Sequence, residues 1–351
     1  MIPNQEEKFE AVYNSLTEKA TEQLLFNTFL KMYPEAWKQL KITFSRYNRS
    51  KQFGKTIPLP RPEESLRKSI RVWLKKLLMA HKEFNFHIYK TTFYGQCWEA
   101  KKTKAVVVLA HGMGEHSGRY AHVAKKLNEH GFSVVAFDHF GHGKTTGKRG
   151  HNPSFKAVLE SVTVTIEKAR AFFPNNPVFL YGHSMGGNTV INYALKKTTH
   201  LQGIIATSPF LKLAFEPPKI KLAVGKLLQK IAPSVTMGNE INPNDISREK
   251  TEVKKYINDP LIHSKISPNF SLTFIDSGKW AIDNASKLTI PIVLLHGTGD
   301  KIIDYRGTKE FADNADRATL KLYENGYHEL QNDLCKNEML TDVVNWISSQ
   351  L

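Results

Sequence analysis

Residues 181–187 read YGHSMGG and set a serine between glycines in the pattern GxSxG, as Gly182, His183, Ser184, Met185 and Gly186. A strand-like PVFLY precedes this run and a helix-like NTVINYALKK follows it. At a sharp strand-to-helix turn the serine is held in a strained conformation, its hydroxyl projects at the helix N-terminus, and the glycines make room. The plainer alternative is a glycine-rich turn whose serine only caps that helix. A serine hydroxyl is a poor nucleophile at neutral pH and needs a base oriented by a third group. Two later segments supply them: PIVLLHGTGD puts Asp300 just past a strand, and TLKLYENGYHEL puts His328 just past the next.

Other acids and bases compete for those roles. Asp304 falls near the start of the following helix, where an N-terminal cap is the simpler reading. Asp276 and Asp283 precede the strand and belong at its wrong end. His296 lies in the strand-to-loop turn and reads as a satisfied structural histidine. Glu329, beside His328, is expected to pair with a surface lysine. Asp300 is therefore preferred.

Acyl transfer also needs N–H donors for the oxyanion of the tetrahedral intermediate. HGMGEHSGRY follows the apolar KAVVVLA directly, and Gly112 and Gly114 allow close approach of backbone to substrate. The expected donors are the backbone N–H groups of Met113 in this loop and of Met185, next to the nucleophile. An isolated HGxG would otherwise be a turn without a catalytic part.

The elements that must position these groups are short strands rich in β-branched residues, alternating with helical patterns from about residue 84 onward. FNFHIYKTTFYGQCW reads as a strand pair; KAVVVLA, FSVVAFD, PVFLYG, GIIATSP, PIVLLHG and TLKLYE follow. Several are almost wholly apolar, as in a parallel sheet covered by helices on both faces. Roughly 80 residues between GIIATSP and PIVLLHG lack a clear strand, too many for one crossover helix, which implies an inserted subdomain. The expected organisation is an N-terminal helical extension over 1–83, a core over 84–209 and 285–351, and a cap over 210–284. The fold class is α/β, a mostly parallel central sheet with helices on both faces.

At this point the chain resembles the monoacylglycerol lipase and lysophospholipase family of α/β-hydrolases. HGMGEHSGRY, FDHFGHGKTTGKRG, GHSMGG, HGTGD and YHEL occur in that family's order and spacing, and ISREKTEVKKYINDPLIH looks like its cap. The resemblance covers about residues 84–350. It implies the α/β-hydrolase fold and hydrolysis of single-chain acyl esters beneath a mobile, lipid-facing cap. It also implies Glu115 and Arg119 near a glycerol headgroup, although an ion pair stiffening the loop would explain them equally. Met113 stands where a smaller or different apolar residue is expected and narrows the pocket mouth. Phe140 interrupts DHxGHG where arginine is frequent. Residues 1–83 have no counterpart in the family.

Composition bounds the remaining possibilities. The 351 residues carry 41% hydrophobic and 23% charged side chains, those of an ordinary globular protein with a sizeable core. Cys97 and Cys335 form no disulfide framework or metal motif, which fits a reducing compartment. MIPNQEEKFE lacks the basic-then-apolar order of a signal peptide, and no apolar run is long enough to span a bilayer. A cytoplasmic protein, peripheral to a membrane, is expected. Neither metal nor organic cofactor is implied.

The net charge is +16, and more than half of the excess falls within residues 41–80, which would attract an anionic surface. Two basic amphipathic helices stand out. In SLRKSIRVWLKKLLMA, Leu66, Ile70, Trp73, Leu74 and Leu77 share a face opposite Arg67, Lys68, Arg71 and Lys75. In KIKLAVGKLLQKIAP, Ile220, Val224, Leu227, Leu228 and Ile231 share another, beside Lys219, Lys226 and Lys230. Each face could dock on a membrane or pack against its own protein. Nucleic acid is not favoured, because charge is its only support. Rival functions on the same fold are an acyltransferase using the same triad and a catalytically silent lipid-binding protein.

Overall fold

The computed structural model describes residues 2–16, 20–50, 61–197, 200–216 and 218–351. The chain divides into two compact units, Met1–His81 and Lys82–Leu351.

The first unit contains α1 (Gln5–Asn14), α2 (Glu22–Met32), α3 (Pro34–Ser50) and α4 (Pro62–Ala80). Phe9, Val12, Leu25, Phe26, Phe29, Leu66, Ile70 and Leu74 are buried together in its core, with Trp73 packed at the margin. The described apolar residues of α4, Leu66, Ile70, Trp73 and Leu74, therefore pack on α1 and α2 of their own unit. The Pro- and Gly-rich run QFGKTIPLPRPEES, residues 52–65, reads in the sequence as a linker, but its last four residues, 62–65, are helical. Pro62 opens the helix, where its missing N–H costs nothing, and Glu63 and Glu64 favour the positive end of the dipole. The rest of the expected linker, 52–60, lies outside the described residues apart from Arg61, which precedes the helix.

The second unit is built on an eight-stranded sheet. Its strands are β1 (His81–Ile88), β2 (Thr91–Trp98), β3 (Ala105–Ala110), β4 (Phe132–Phe137), β5 (Val178–His183), β6 (Gly203–Thr207), β9 (Ile292–Gly297) and β10 (Ala318–Tyr323). They lie in the order β1-β2-β4-β3-β5-β6-β9-β10. From β4 to β10 every neighbouring pair is parallel, whereas β2 pairs antiparallel with β4. The sheet thus begins at His81, three residues before the expected boundary.

Along the central strands, alternation divides the apolar residues between two cores. Val106, Val108 and Ala110 of β3 join Leu180 and Leu294 on one face. Ala105, Val107 and Leu109 join Phe179, Tyr181 and Leu295 on the other. The first face is covered by α6 (Phe155–Phe172), α7 (Met185–Lys196), α10 (Pro268–Asp283) and α11 (Tyr305–Asp313); the second by α5 (Ala121–Glu129) and α12 (Lys336–Ser349). Such double coverage explains why these strands read as continuous apolar runs.

Between β6 and β9 the chain makes α8 (Lys219–Ile231), α9 (Lys250–Asn258) and α10, with only the two-residue strands β7 (Met237–Gly238) and β8 (Lys265–Ile266). Helix α10 packs on α7 and α11 and buries Phe270 and Phe274 in the core beside the sheet. It is a crossover helix as much as part of the insertion. The segment before it carries Ile246, Val253 and Tyr256 in a small cluster of its own.

Candidate active site

Ser184 occupies the single residue between β5 and α7, with φ 52° and ψ −114°. That conformation is costly for a residue with a side chain and persists only where its surroundings enforce it. The enforcement is visible at the flanking glycines. A Cβ at Gly182 would stand 2.2 Å from the carbonyl oxygen of Gly186, and one at Gly186 would stand 2.0 Å from that of Ala110. The Ser184 N–H donates to the Thr207 carbonyl at the end of β6 (2.9 Å), tying the elbow to the sheet.

Three side chains from separate strand ends converge here. His328 Nε2 lies 2.9 Å from Ser184 Oγ, and His328 Nδ1 lies 2.7 Å from Asp300 Oδ2. Asp300 Oδ1 accepts from the N–H groups of Ile302 (2.8 Å) and Ile303 (3.0 Å). Ser208 Oγ donates to the carbonyl of His328 (2.7 Å), fixing the loop after β10. Burial alone would raise the Asp300 carboxyl, but the imidazoles of His328 and His296 hold it well below the usual carboxylate range. Burial would likewise lower His328, yet the Asp300 charge and hydrogen bond outweigh it and leave the imidazole above its ordinary value. The His183 ring lies 4.9 Å from that of His328, tilted at 53°, and is pushed down to about 3 by burial and then by the neighbouring imidazole, so it adds no charge.

The loop after β3 approaches the nucleophile from the other side. A Cβ at Gly112 would lie 2.9 Å from Glu115 Oε1 and 3.1 Å from His183 Cδ2, so a larger residue there would crowd the Glu115 carboxylate and the His183 ring beside the nucleophile. The Gly112 N–H is already engaged by Glu115 Oε1 (2.6 Å), which also accepts from Tyr120 OH (2.6 Å). Glu115 thereby sets the turn that presents Met113 to the pocket. Met185 opens α7 directly after the nucleophile.

Arg119 bridges two buried carboxylates. Its Nη1 reaches Glu115 Oε2 (2.7 Å) and Glu329 Oε1 (2.6 Å), and its Nη2 reaches Glu329 Oε2 (2.7 Å). The guanidinium also lies 5.0 Å from the Tyr256 ring of α9. Burial raises Glu115, but Arg119, the nearby imidazoles and the Tyr120 hydroxyl together outweigh it and keep it a carboxylate. Glu115 lines the pocket over Ser184 together with Glu329, Met113, Ile241, Ile246, Tyr256 and Ile302; Arg119 stands behind it. The pairing expected for Glu329 is corrected here: it is 3% exposed and bound to Arg119, not to a surface lysine. A buried carboxylate needs a buried cation, and the sequence held no sign that Glu329 would be covered.

The remaining candidates fall elsewhere. Asp304 caps α11 through the Arg306 N–H (3.0 Å). Asp283 ends α10 and pairs with Lys279. His296 is fully buried against Asp300, a partner the sequence reading did not give it. Ser208 and Tyr256 were also missed; Ser208 has φ 42°, which no pattern in the sequence announces. Among the described residues, no group of three or more His, Cys, Asp or Glu side chains is arranged to hold a metal ion.

The arrangement can deprotonate a hydroxyl, hold the resulting imidazolium and receive an acyl group. Residues 101–334 match the family described as serine aminopeptidase, S33. A monoglyceride lipase of Rattus norvegicus is 33% identical over 72% of this chain and 86% of its own length. The chain belongs to the monoacylglycerol lipase family of α/β-hydrolases. That is a family of carboxylic ester hydrolases. An uncharacterised abhydrolase-domain protein of Dictyostelium discoideum is 38% identical over 75% of this chain, which spans only 28% of that relative's length. The crystal structure of a Paleococcus ferrophilus monoacylglycerol lipase shares 34% identity and superposes with a TM-score of 0.69, covering 74% of this chain and 99% of that one.

Proposed function

We propose that this protein hydrolyses the ester of a single-chain acyl lipid, of monoacylglycerol or lysophospholipid type, through an acyl-enzyme on Ser184. The observation that carries the reading is the continuous relay from Asp300 through His328 to a serine held at φ 52°. His328 takes the Ser184 proton as Oγ attacks the ester carbonyl. The N–H groups of Met113 and Met185 receive the oxyanion, and losing one such donor typically raises the barrier by about 2.7–4 kcal/mol. The imidazolium then protonates the leaving alcohol. Water, activated by the same imidazole, releases the fatty acid.

The pocket's composition supports a substrate with one apolar arm and a polar end. Met113, Ile241, Ile246, Ile302 and Tyr256 suit an acyl chain, while Glu115 and Glu329 offer acceptors to hydroxyl groups. The names of the Rattus norvegicus and Paleococcus ferrophilus relatives point the same way, and the description of the matching family, an aminopeptidase, does not.

Residues 210–284 would serve as the cap over this pocket. Helix α8 supports a membrane-facing role: Ile220, Val224, Leu227 and Ile231 fall on one stripe and are 79%, 50%, 58% and 70% exposed. No described helix is long and apolar enough to cross a membrane, so docking would be peripheral, through an interfacial helix.

A fluorophosphonate probe should label Ser184 in the wild type and not in Ser184→Ala, and the wild type should release fatty acid from monoacylglycerol. A protein that is folded but unlabelled would overturn the proposal. Asp300→Asn should lower kcat by about 10⁴-fold, because the amide favours the wrong imidazole tautomer. The base must be neutral to act and its proton affinity is raised. Activity should therefore fall on acidification at a pH above the titration of an ordinary histidine.

A further inference from the structure

The carboxylate of Asp300 accepts one hydrogen bond more than the relay needs. Its Oδ1 is fixed by two backbone N–H groups, those of Ile302 and Ile303, and its Oδ2 accepts from His328 Nδ1. That same Oδ2 also lies 3.1 Å from His296 Nε2. On its other side His296 Nδ1 lies 2.7 Å from Thr308 Oγ1 of α11. A neutral imidazole has one donor and one acceptor. The carboxylate must receive the Nε2 proton, which leaves Nδ1 to accept from the Thr308 hydroxyl. Both His296 and Thr308 are 0% exposed, so water cannot substitute for either partner.

We propose that His296 is a positioning residue for Asp300: it pins the carboxylate and withholds part of its basicity from His328. The inference rests on the triad role proposed above. Two consequences follow from sharing one oxygen. The carboxylate plane is set by three donors before His328 docks, so the catalytic imidazole meets a fixed acceptor. A carboxylate oxygen that already accepts one hydrogen bond is also a weaker partner for the next proton. Without His296, Asp300 would bind the His328 imidazolium more strongly, and the base would stay protonated to higher pH.

The other charged or titratable groups facing this relay are few. Glu115 comes from the loop after β3, His183 ends β5, and Glu329 follows His328 in the chain. Arg119 neutralises part of the two glutamates. They bear on the imidazole of His328, whereas His296 acts on the far side, on Asp300 itself. Its contribution is separable by mutation.

The test is the pH profile of kcat/KM with a short-chain p-nitrophenyl ester, for the wild type, His296→Leu and His296→Gln. In the leucine variant the acid limb should move up by about one pH unit, so that kcat/KM on that limb falls about tenfold with KM unchanged. Glutamine can donate from its amide to Asp300 and should return the limb toward its wild-type position. An acid limb that stays in place in His296→Leu, however unstable that variant is, would mean that His296 only fills space and would overturn the proposal. A limb that moves down would overturn it as well.

If His296→Leu does not fold, Thr308→Val decides the matter, since it removes only the hydroxyl that holds His296 in register. It should shift the limb in the same upward direction by a smaller amount, and no shift would count against the proposal. Fluorophosphonate labelling of the wild type separates the two levels. An unlabelled Ser184 defeats the hydrolase reading, whereas a labelled wild type with an unmoved limb in the variants defeats only the role of His296.

Discussion

Helices α4 and α8 carry the same pattern, an apolar stripe flanked by lysine and arginine, and the structure treats them in opposite ways. Leu66, Ile70 and Leu74 of α4 are 2%, 0% and 8% exposed inside the N-terminal unit, while four apolar residues of α8 are at least half open to solvent. Their cations differ too. Arg67 and Arg71 of α4 pair with Glu22, and Arg67 stacks on Phe26 at 4.0 Å; Lys226 and Lys230 of α8 stand exposed. Amphipathicity states that a face wants cover. It does not state whether protein or lipid provides it.

The largest expected contrast is in stability. Ile70→Asp would bury a carboxylate with no partner among aromatic and aliphatic side chains, at a cost of about 4 kcal/mol or more. Hydrogen exchange should then rise throughout α1, α2 and α4. Leu227→Asp, at a 58% exposed position, should change stability by no more than about 0.5 kcal/mol. Comparable losses at both positions would mean that α8 is covered by protein after all, and the distinction between the helices would fall.

The next contrast concerns lipid. Replacing Ile220, Leu227 and Ile231 together by serine removes three side chains from the stripe. At about 1 kcal/mol each for partial insertion, affinity for vesicles should drop roughly a hundredfold. Hydrolysis of vesicle-borne monoacylglycerol should fall with it, while turnover of a short water-soluble ester stays near wild type. A parallel loss on both substrates would assign these residues to the pocket instead of the membrane.

What was legible in the sequence follows the same division between local and distant causes. The sheet could be read from its apolar runs because every residue of β3, β4, β5, β6 and β9 is buried whichever face it takes. The convergence of Ser184, Asp300 and His328 could be read because each lies just past a strand end and the chain order is set by the fold. The relationship of Glu329 to Arg119 could not, since the two lie 210 residues apart and only the packed loops bring them together. His296 was seen and set aside as structural; its spacing of four from Asp300 gave no hint that the turn would fold both onto one oxygen. The fate of α4 was hidden for a related reason: its cover, α1 and α2, lies outside residues 101–334, which match the family.

The smallest effect tests charge alone. Lys226→Gln and Lys230→Gln leave the α8 stripe intact and remove two cations from its border. Each lysine near an anionic surface contributes about 1 kcal/mol. The pair should therefore weaken binding to phosphatidylserine-containing vesicles by about thirtyfold at low salt, and much less once added salt shortens the screening length. Neutral phosphatidylcholine vesicles should bind the variant and the wild type alike. The matching change in α4, Lys68→Gln, should be silent on both surfaces, because the apolar face beneath it is already occupied by its own unit. If Lys68→Gln weakened vesicle binding as much as the α8 changes do, charge without an open apolar face would suffice for docking, and the two helices would differ in packing but not in function.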